Sequence, residues 1–187
     1  MSLLGDYIAE HIPDYNPKSK MIEDYSQTLD DRIDLMIEMI LEAKEDARIR
    51  QLAGNILREA GIMPKDSQGE VCAVFNWVRE NVRYTRDIRN IELFQKPIRT
   101  LEMKIGDCDD QAMILSALLE CIGYPTMLKV VGISSKEPEH IYILAGFPVS
   151  KPTTWIALDP TENHPCGWEV EKHLVKSSIT YTVDDDD

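Results

Sequence analysis

Residues 108–122, CDDQAMILSALLECI, constrain the fold more than any other stretch of the chain. Cys108, Ala112, Leu115, Leu119 and Ile122 fall on one helical stripe, and Ile114, Leu118 and Cys121 cover the neighbouring one. A helix that is apolar around most of its circumference has to be buried around most of it. Its limits are written beside it: Asp107 is a good N-cap, and Gly123 with Pro125 two residues on is a good stop. The remaining chain must therefore supply layers that enclose this helix, and Cys108 is placed in its first turn.

The candidate layers come in a definite order. From Thr28, Leu29, Ile33, Ile37 and Ile40 recur at helical spacing, and Leu52, Ile56 and Ala60 continue the pattern to Gly61, which predicts two helices or one bent one. A further helix is predicted over roughly residues 70–81, with Val71, Val74, Phe75 and Val78 on one side. The segment IRNIELFQKPIRTLEMKIGD, leading to Cys108, reads as a loop. Downstream, TMLKVVGI, EHIYILAGF and TTWIALDP are short runs of Ile, Val, Tyr and Trp divided by SSKEP and PVSKP, and SSITYTV follows; these predict antiparallel strands. Helices first and strands later imply an α+β fold in which a buried helix packs on an antiparallel sheet. The expected organisation is an N-terminal arm and helices over 1–60, a core over 61–183 and an acidic tail over 184–187.

Charge and composition remove several classes of function. The formal net charge is -13 with no Lys/Arg cluster, so nucleic acid and anionic membrane surfaces are not expected partners. The N-terminus lacks the charged start and apolar run of a signal peptide, and nothing approaches the ~20 apolar residues of a membrane span. A cytoplasmic location is expected. The four cysteines, at 72, 108, 121 and 166, form no CxxC pair. That spacing argues against a zinc site or disulfide framework, so Cys72, Cys121 and Cys166 are expected to be reduced structural thiols. No cofactor is expected. Asp107, Asp109 and Asp110 are not expected to hold a metal, because consecutive helical side chains point about 100° apart and cannot converge on one ion.

Cys108 gains a chemical meaning from the strands. A simple hairpin centred near residues 149 and 150 would pair His140 with Asp159, Tyr142 with Ala157 and Leu144 with Trp155. Opposed side chains lie about 5 Å apart at Cβ, within reach of an imidazole–carboxylate hydrogen bond. The other face, Ile141, Ile143, Ile156 and Leu158, is entirely apolar and belongs to the core. A thiol at a helix start, a base, and a carboxylate that orients the base are what nucleophilic acyl transfer requires. The expected roles are Cys108 as nucleophile, His140 as general base and acid, and Asp159 as the group that steers His140. The Cys108 backbone N–H is a natural oxyanion donor, and Gln95 is the candidate side-chain donor. His164 and Cys166, two apart in a Pro/Gly loop, lack such an orienting partner in the pattern.

Three carboxylates beside Cys108 oppose a thiolate. A carboxylate about 7 Å away, screened as in water, opposes it by about 0.6 kcal/mol, whereas an imidazolium about 4 Å away in a partly buried site contributes up to ~4 kcal/mol the other way. The imidazolium can therefore win, and Cys108 is expected to be an activated nucleophile. Asp107 then serves as cap and Asp110 as a scaffold for the site.

With VFNWVRENVRYTRD, GDCDDQAMILSALLECIGYPT, HIYIL and WIALDPT in that order, the chain resembles the transglutaminase-like superfamily, which has a papain-related cysteine-peptidase core. The resemblance spans roughly residues 70–168 and implies a triad of Cys108, His140 and Asp159. It also implies a cysteine hydrolase acting on peptide, isopeptide or amide bonds, or a protein cross-linker, with a protein or peptide substrate and no cofactor. Asp110 matches an acidic position that the family often carries two residues past its cysteine. ELFQKP, GDCDDQ and GWE are similar to a bacteriophage and prophage subgroup, which implies virion proteins as possible partners and a host-cytoplasm or virion location. A non-catalytic assembly module that retains the fold is the alternative from another class.

Overall fold

A computed structural model describes residues 28–63, 65–85 and 95–184. The expected N-terminal arm and the last three residues of the acidic tail lie outside the described residues. Thr28 opens helix α1 (Leu29–Lys44) with a capping box: its hydroxyl accepts the Asp31 N–H, and the Asp31 carboxylate accepts the Thr28 N–H. Asp46 caps helix α2 (Ala47–Glu59), so the long periodic stretch resolves into two helices with the break at the cap. Asp66 caps helix α3 (Ser67–Asn81), whose Val71, Val74, Phe75 and Val78 are buried as their spacing predicts.

The segment expected to be a loop contains a short helix, α4 (Pro97–Met103). Proline at the first helical position presets φ and lacks only an N–H that would have no helical partner, and Lys104 closes the helix in the left-handed conformation. Two-residue strands β1 (Arg83–Tyr84) and β2 (Ile105–Gly106) pair in parallel and deliver the chain to Asp107. Gly106 is required at that point, because a Cβ there would lie 2.6 Å from the Cβ of Asp110.

The Cys108 helix is α5 (Cys108–Glu120), and every residue from Asp110 to Leu119 is buried. Helices α1 to α4 and the sheet strands β3 (Thr126–Gly132) and β4 (His140–Phe147) all pack against it. The four-stranded sheet, completed by β5 (Thr154–Leu158) and β6 (Ser177–Thr182), has the order β5-β4-β3-β6 and is antiparallel throughout. At the far end of α5 the Ser116 and Thr126 hydroxyls share a 2.6 Å hydrogen bond, and Glu120 accepts the Thr126 N–H at 2.7 Å. Helix and sheet are thus fastened at the end opposite Cys108.

The hairpin register differs from the expected one. Leu144 pairs with Ala157 and Gly146 with Trp155, a slip of two residues, because Phe147 and Thr154 close a longer turn through the Thr153 N–H to Phe147 carbonyl bond. A one-residue slip would have turned every side chain to the other face; a slip of two keeps the faces. Ile143 and Leu158 remain in the core, and His140 and Asp159 become diagonal rather than direct neighbours.

The cysteine expectation is corrected. Cys72 of α3 and Cys166 of the loop after β5 form a disulfide with a Cα–Cα distance of 5.5 Å, whereas Cys108 and Cys121 are free thiols. The pair is separated by 94 residues, so sequence spacing carries no sign of it. Disulfides persist in oxidising surroundings, and the expected cytoplasmic location loses the support it drew from reduced thiols. No described helix is long and apolar enough to cross a membrane.

Candidate active site

The start of β4, an inner strand of the sheet, and the start of α5 meet around Cys108. Asp107 caps the helix by accepting the Asp110 N–H at 3.1 Å, and Asp110 completes a capping box by accepting the Asp107 N–H. Asp110 is 1% exposed and does more than cap: its Oδ1 accepts the Gln95 N–H at 2.9 Å, and its Oδ2 accepts the Gln95 side-chain amide at 2.8 Å. One carboxylate therefore ties the incoming loop to the first turn of the helix. Burial, and then the charge of Asp107, push its pKa up to about 7, against the pull of the N–H groups of Gln95 and Asp107. Gln95 lies beside the helix start with one amide N–H committed to Asp110; a primary amide has a second.

His140 opens β4, and its Nε2 lies 2.7 Å from Asp159 Oδ2. Asp159 is itself fixed, since its Oδ1 accepts both the backbone N–H and the hydroxyl of Thr161 at 3.1 and 2.7 Å. With Nε2 on the aspartate, Nδ1 is on the opposite side of the ring. Burial lowers the His140 pKa, but the hydrogen bond and charge of Asp159 outweigh it, and the net value lies above the ordinary 6.5.

Cys108 and His140 line one cavity of about 230 Å³. The backbone N–H of Ile141, the residue after His140, is directed at the Cys108 sulfur, which brings the start of β4 against the start of α5. The thiol itself is 3.7 Å from Asp109 Oδ1. Its state corrects the expectation of an activated thiolate: burial first, then the charges of Asp109 and Asp107, push its pKa far up, and the Ile141 N–H only partly opposes them. Water-like screening understated the carboxylates because the sulfur is withdrawn from solvent. Asp109 acts both ways, since its charge also favours protonated His140. Asp109→Asn is expected to raise the alkylation rate of Cys108 by iodoacetamide at pH 8 about fivefold, equivalent to ~1 kcal/mol for one nearby charge. An unchanged or slower rate, followed by intact mass, would contradict that assignment.

The other cysteines are accounted for. Cys166 is in the disulfide, and His164 stacks on Trp168 at 3.8 Å while its carbonyl accepts Arg79 at 2.7 Å. Two neighbourhoods escaped sequence reasoning. Tyr142, on the same face as His140 with ring centroids 5.9 Å apart, donates to Glu169 at 2.9 Å, and Lys129 bonds the same carboxylate at 2.6 Å; the GWE motif was the visible signal. Leu29, Arg32, Ile33 and Met36 of α1 also line the cavity, and nothing in their spacing distinguishes them from ordinary core residues. Among the described residues no cluster of three His, Cys, Asp or Glu side chains is disposed to hold a metal.

No curated protein matches the chain. Several solved structures resemble it, three of which follow. The first is a proposed protease from Parabacteroides distasonis, 13% identical, with a TM-score of 0.50 over 70% of this chain and 26% of that one. The second is a proposed cysteine protease from Cytophaga hutchinsonii, 17% identical, with a TM-score of 0.46 over 79% and 57%. The third, described as a TGase, is 13% identical, with a TM-score of 0.46 over 90% and 40%. This chain spans a quarter to just over half of the lengths of those proteins. At such identity the first likeness is one of fold. The transglutaminase-like superfamily profile matches residues 52–160, more than half of the sequence and the part that carries Cys108, His140 and Asp159. An α+β fold with a buried helix on an antiparallel sheet, and a profile covering that core, lead to one statement: the chain belongs to the transglutaminase-like superfamily.

Proposed function

We propose that the protein is a cysteine-dependent acyl-transfer enzyme that hydrolyses peptide, isopeptide or amide bonds through Cys108, His140 and Asp159. The observation that carries this proposal is the Asp159-bound His140 in the cavity that Cys108 lines. Because the thiol is held neutral, His140 acts as a general base during attack rather than as half of a preformed ion pair. Cys108 Sγ bonds the carbonyl carbon while its proton passes to His140 Nδ1. The tetrahedral intermediate expels the amine, which takes that proton, and leaves a thioester. Water, deprotonated by His140, then releases the acid and frees the thiol. The Cys108 backbone N–H and the second N–H of Gln95 are the proposed donors to the oxyanion.

Neutral His140 is the working form, so activity rises with pH through its pKa, which Asp159 holds above 6.5. The expected kcat/KM profile has an acid limb with its midpoint above pH 6.5. Asp159→Asn is expected to move that limb to lower pH as well as lower its plateau. A limb that stays in place would contradict Asp159 as the group acting on His140.

Mass spectrometry of products from peptide and amine substrates, with purified virion proteins in the panel because of the phage-like ELFQKP and GWE motifs, tests the reaction class. Chain cleavage or conversion of Gln to Glu is expected. A Gln–Lys isopeptide would make the protein a cross-linker, with an amine replacing water at the thioester. The alternative function is an interaction module that keeps the fold without catalysis. Products identical in wild type and Cys108→Ala would establish that function.

A further inference from the structure

The family profile begins at residue 52, so helix α1 lies outside it. Yet α1 supplies one wall of the cavity: Leu29, Ile33 and Met36, with Arg32 beside them, line the space shared with Cys108 and His140; Val130, Pro138 and Ile141 form the apolar part of the remainder, and Asp107, Asp109 and Glu139 its charged part. This wall is fixed. Ile33, Met36 and Ile40 are 2%, 1% and 0% exposed within the main core, so α1 cannot swing away without opening that core to water. The helix is also tied to the sheet at its start, where the Tyr181 hydroxyl of β6 donates to Asp30 at 2.7 Å. A cavity of about 230 Å³ falls below the ~300–1,000 Å³ of pockets that enclose whole small ligands, which suits a single side chain.

We infer that α1 is the specificity wall of the enzyme and that Leu29, Ile33 and Met36 select an apolar side chain on the residue whose carbonyl is attacked. This rests on the acyl-transfer function proposed above. The family core carries the chemistry, and a helix outside the residues that the family profile matches chooses the substrate. Leu29 is the adjustable member, since it is half-buried whereas Ile33 and Met36 also hold the core.

Peptidyl fluoromethyl ketones with Gly, Leu, Phe, Lys or Glu next to the electrophile measure this without knowledge of the natural substrate. The thiol displaces fluoride, which leaves with the thiol proton as hydrogen fluoride, and a thioether to Cys108 remains. Rates are read by intact mass on the full chain. The Leu and Phe probes are expected to label Cys108 at least about tenfold faster than the Gly probe, as expected for filling a hydrophobic pocket. Leu29→Ala is expected to reduce the Leu-to-Gly ratio several-fold, while Leu41→Ala, half-buried on the same helix but outside the cavity lining, leaves it unchanged.

Equal rates across the panel, faster labelling by the Lys or Glu probe, or equal changes in both variants would overturn the inference. Iodoacetamide at pH 8 separates the two levels. Labelling of Cys108 by iodoacetamide with no side-chain preference among the ketones defeats the wall alone. Failure of Cys108 to react with iodoacetamide or any ketone defeats the acyl-transfer function and the wall with it.

Discussion

Cys108→Ala is expected to abolish amide turnover, with a loss of at least about 10³-fold in kcat/KM and little loss of stability. No other described cysteine can substitute. Cys72 and Cys166 are joined to each other. Cys121 stands at the opposite end of α5, about 20 Å away at 1.5 Å per residue, and burial pushes its thiol up to about 11. His140→Ala is expected to cost nearly as much as Cys108→Ala, and the double variant scarcely more than either, because nucleophile and base act as one unit. Progress curves on one amide substrate, normalised to folded protein, measure all three. Losses that add between the two positions would mean that the residues act separately.

The second large effect is on stability. Asp110→Ala removes the acceptor for the Gln95 N–H, the Gln95 side-chain amide and the Asp107 N–H at once. Buried donors left without partners cost about 1–3 kcal/mol each, and partial access to water reduces the sum to roughly 3 kcal/mol. At about 2–4 °C per kcal/mol for a chain of this size, Tm is expected to fall by about 10 °C. A pH signature accompanies it. The folded-state pKa of about 7 lies above the carboxyl's ordinary 3.8, so the folded state disfavours ionised Asp110. Its contribution is complete below pH 3.8 and is lost as pH rises through about 7. The stability difference between wild type and Asp110→Ala, from denaturant melts at several pH values, should therefore shrink from pH 4 to pH 7. A difference that grows over that range would mean that the carboxylate is favoured by folding.

The parts of the fold that could be read from the sequence are those set by short-range periodicity. The stripes on α5, the cap at Asp107, the stop at Gly123 and the alternation of Ile141 and Ile143 all depend on residues within one or two turns or along one strand. The contact between His140 and Asp159 was legible for the same reason: a two-residue error in register preserves the face. Helix α4 was missed because a seven-residue helix has too few turns to show a period. The Cys72–Cys166 disulfide and the α1 wall depend on where distant elements pack, which no local pattern encodes. The protonation of Cys108 was misjudged because it depends on burial of the sulfur. Sequence alone placed the carboxylates near it without showing how little water screens them.

A thioester on Cys108 is the most direct observable. Mixing the protein with excess p-nitrophenyl ester of a short apolar acyl group at pH 8, and recording p-nitrophenolate release with intact mass and peptide mapping, should give a burst of one equivalent. The acyl group should reside on Cys108. The burst should be absent in Cys108→Ala and much slower in His140→Ala. Slow release without a burst, or acylation spread over Cys121 and surface lysines and unaffected by either substitution, would contradict acyl transfer through Cys108.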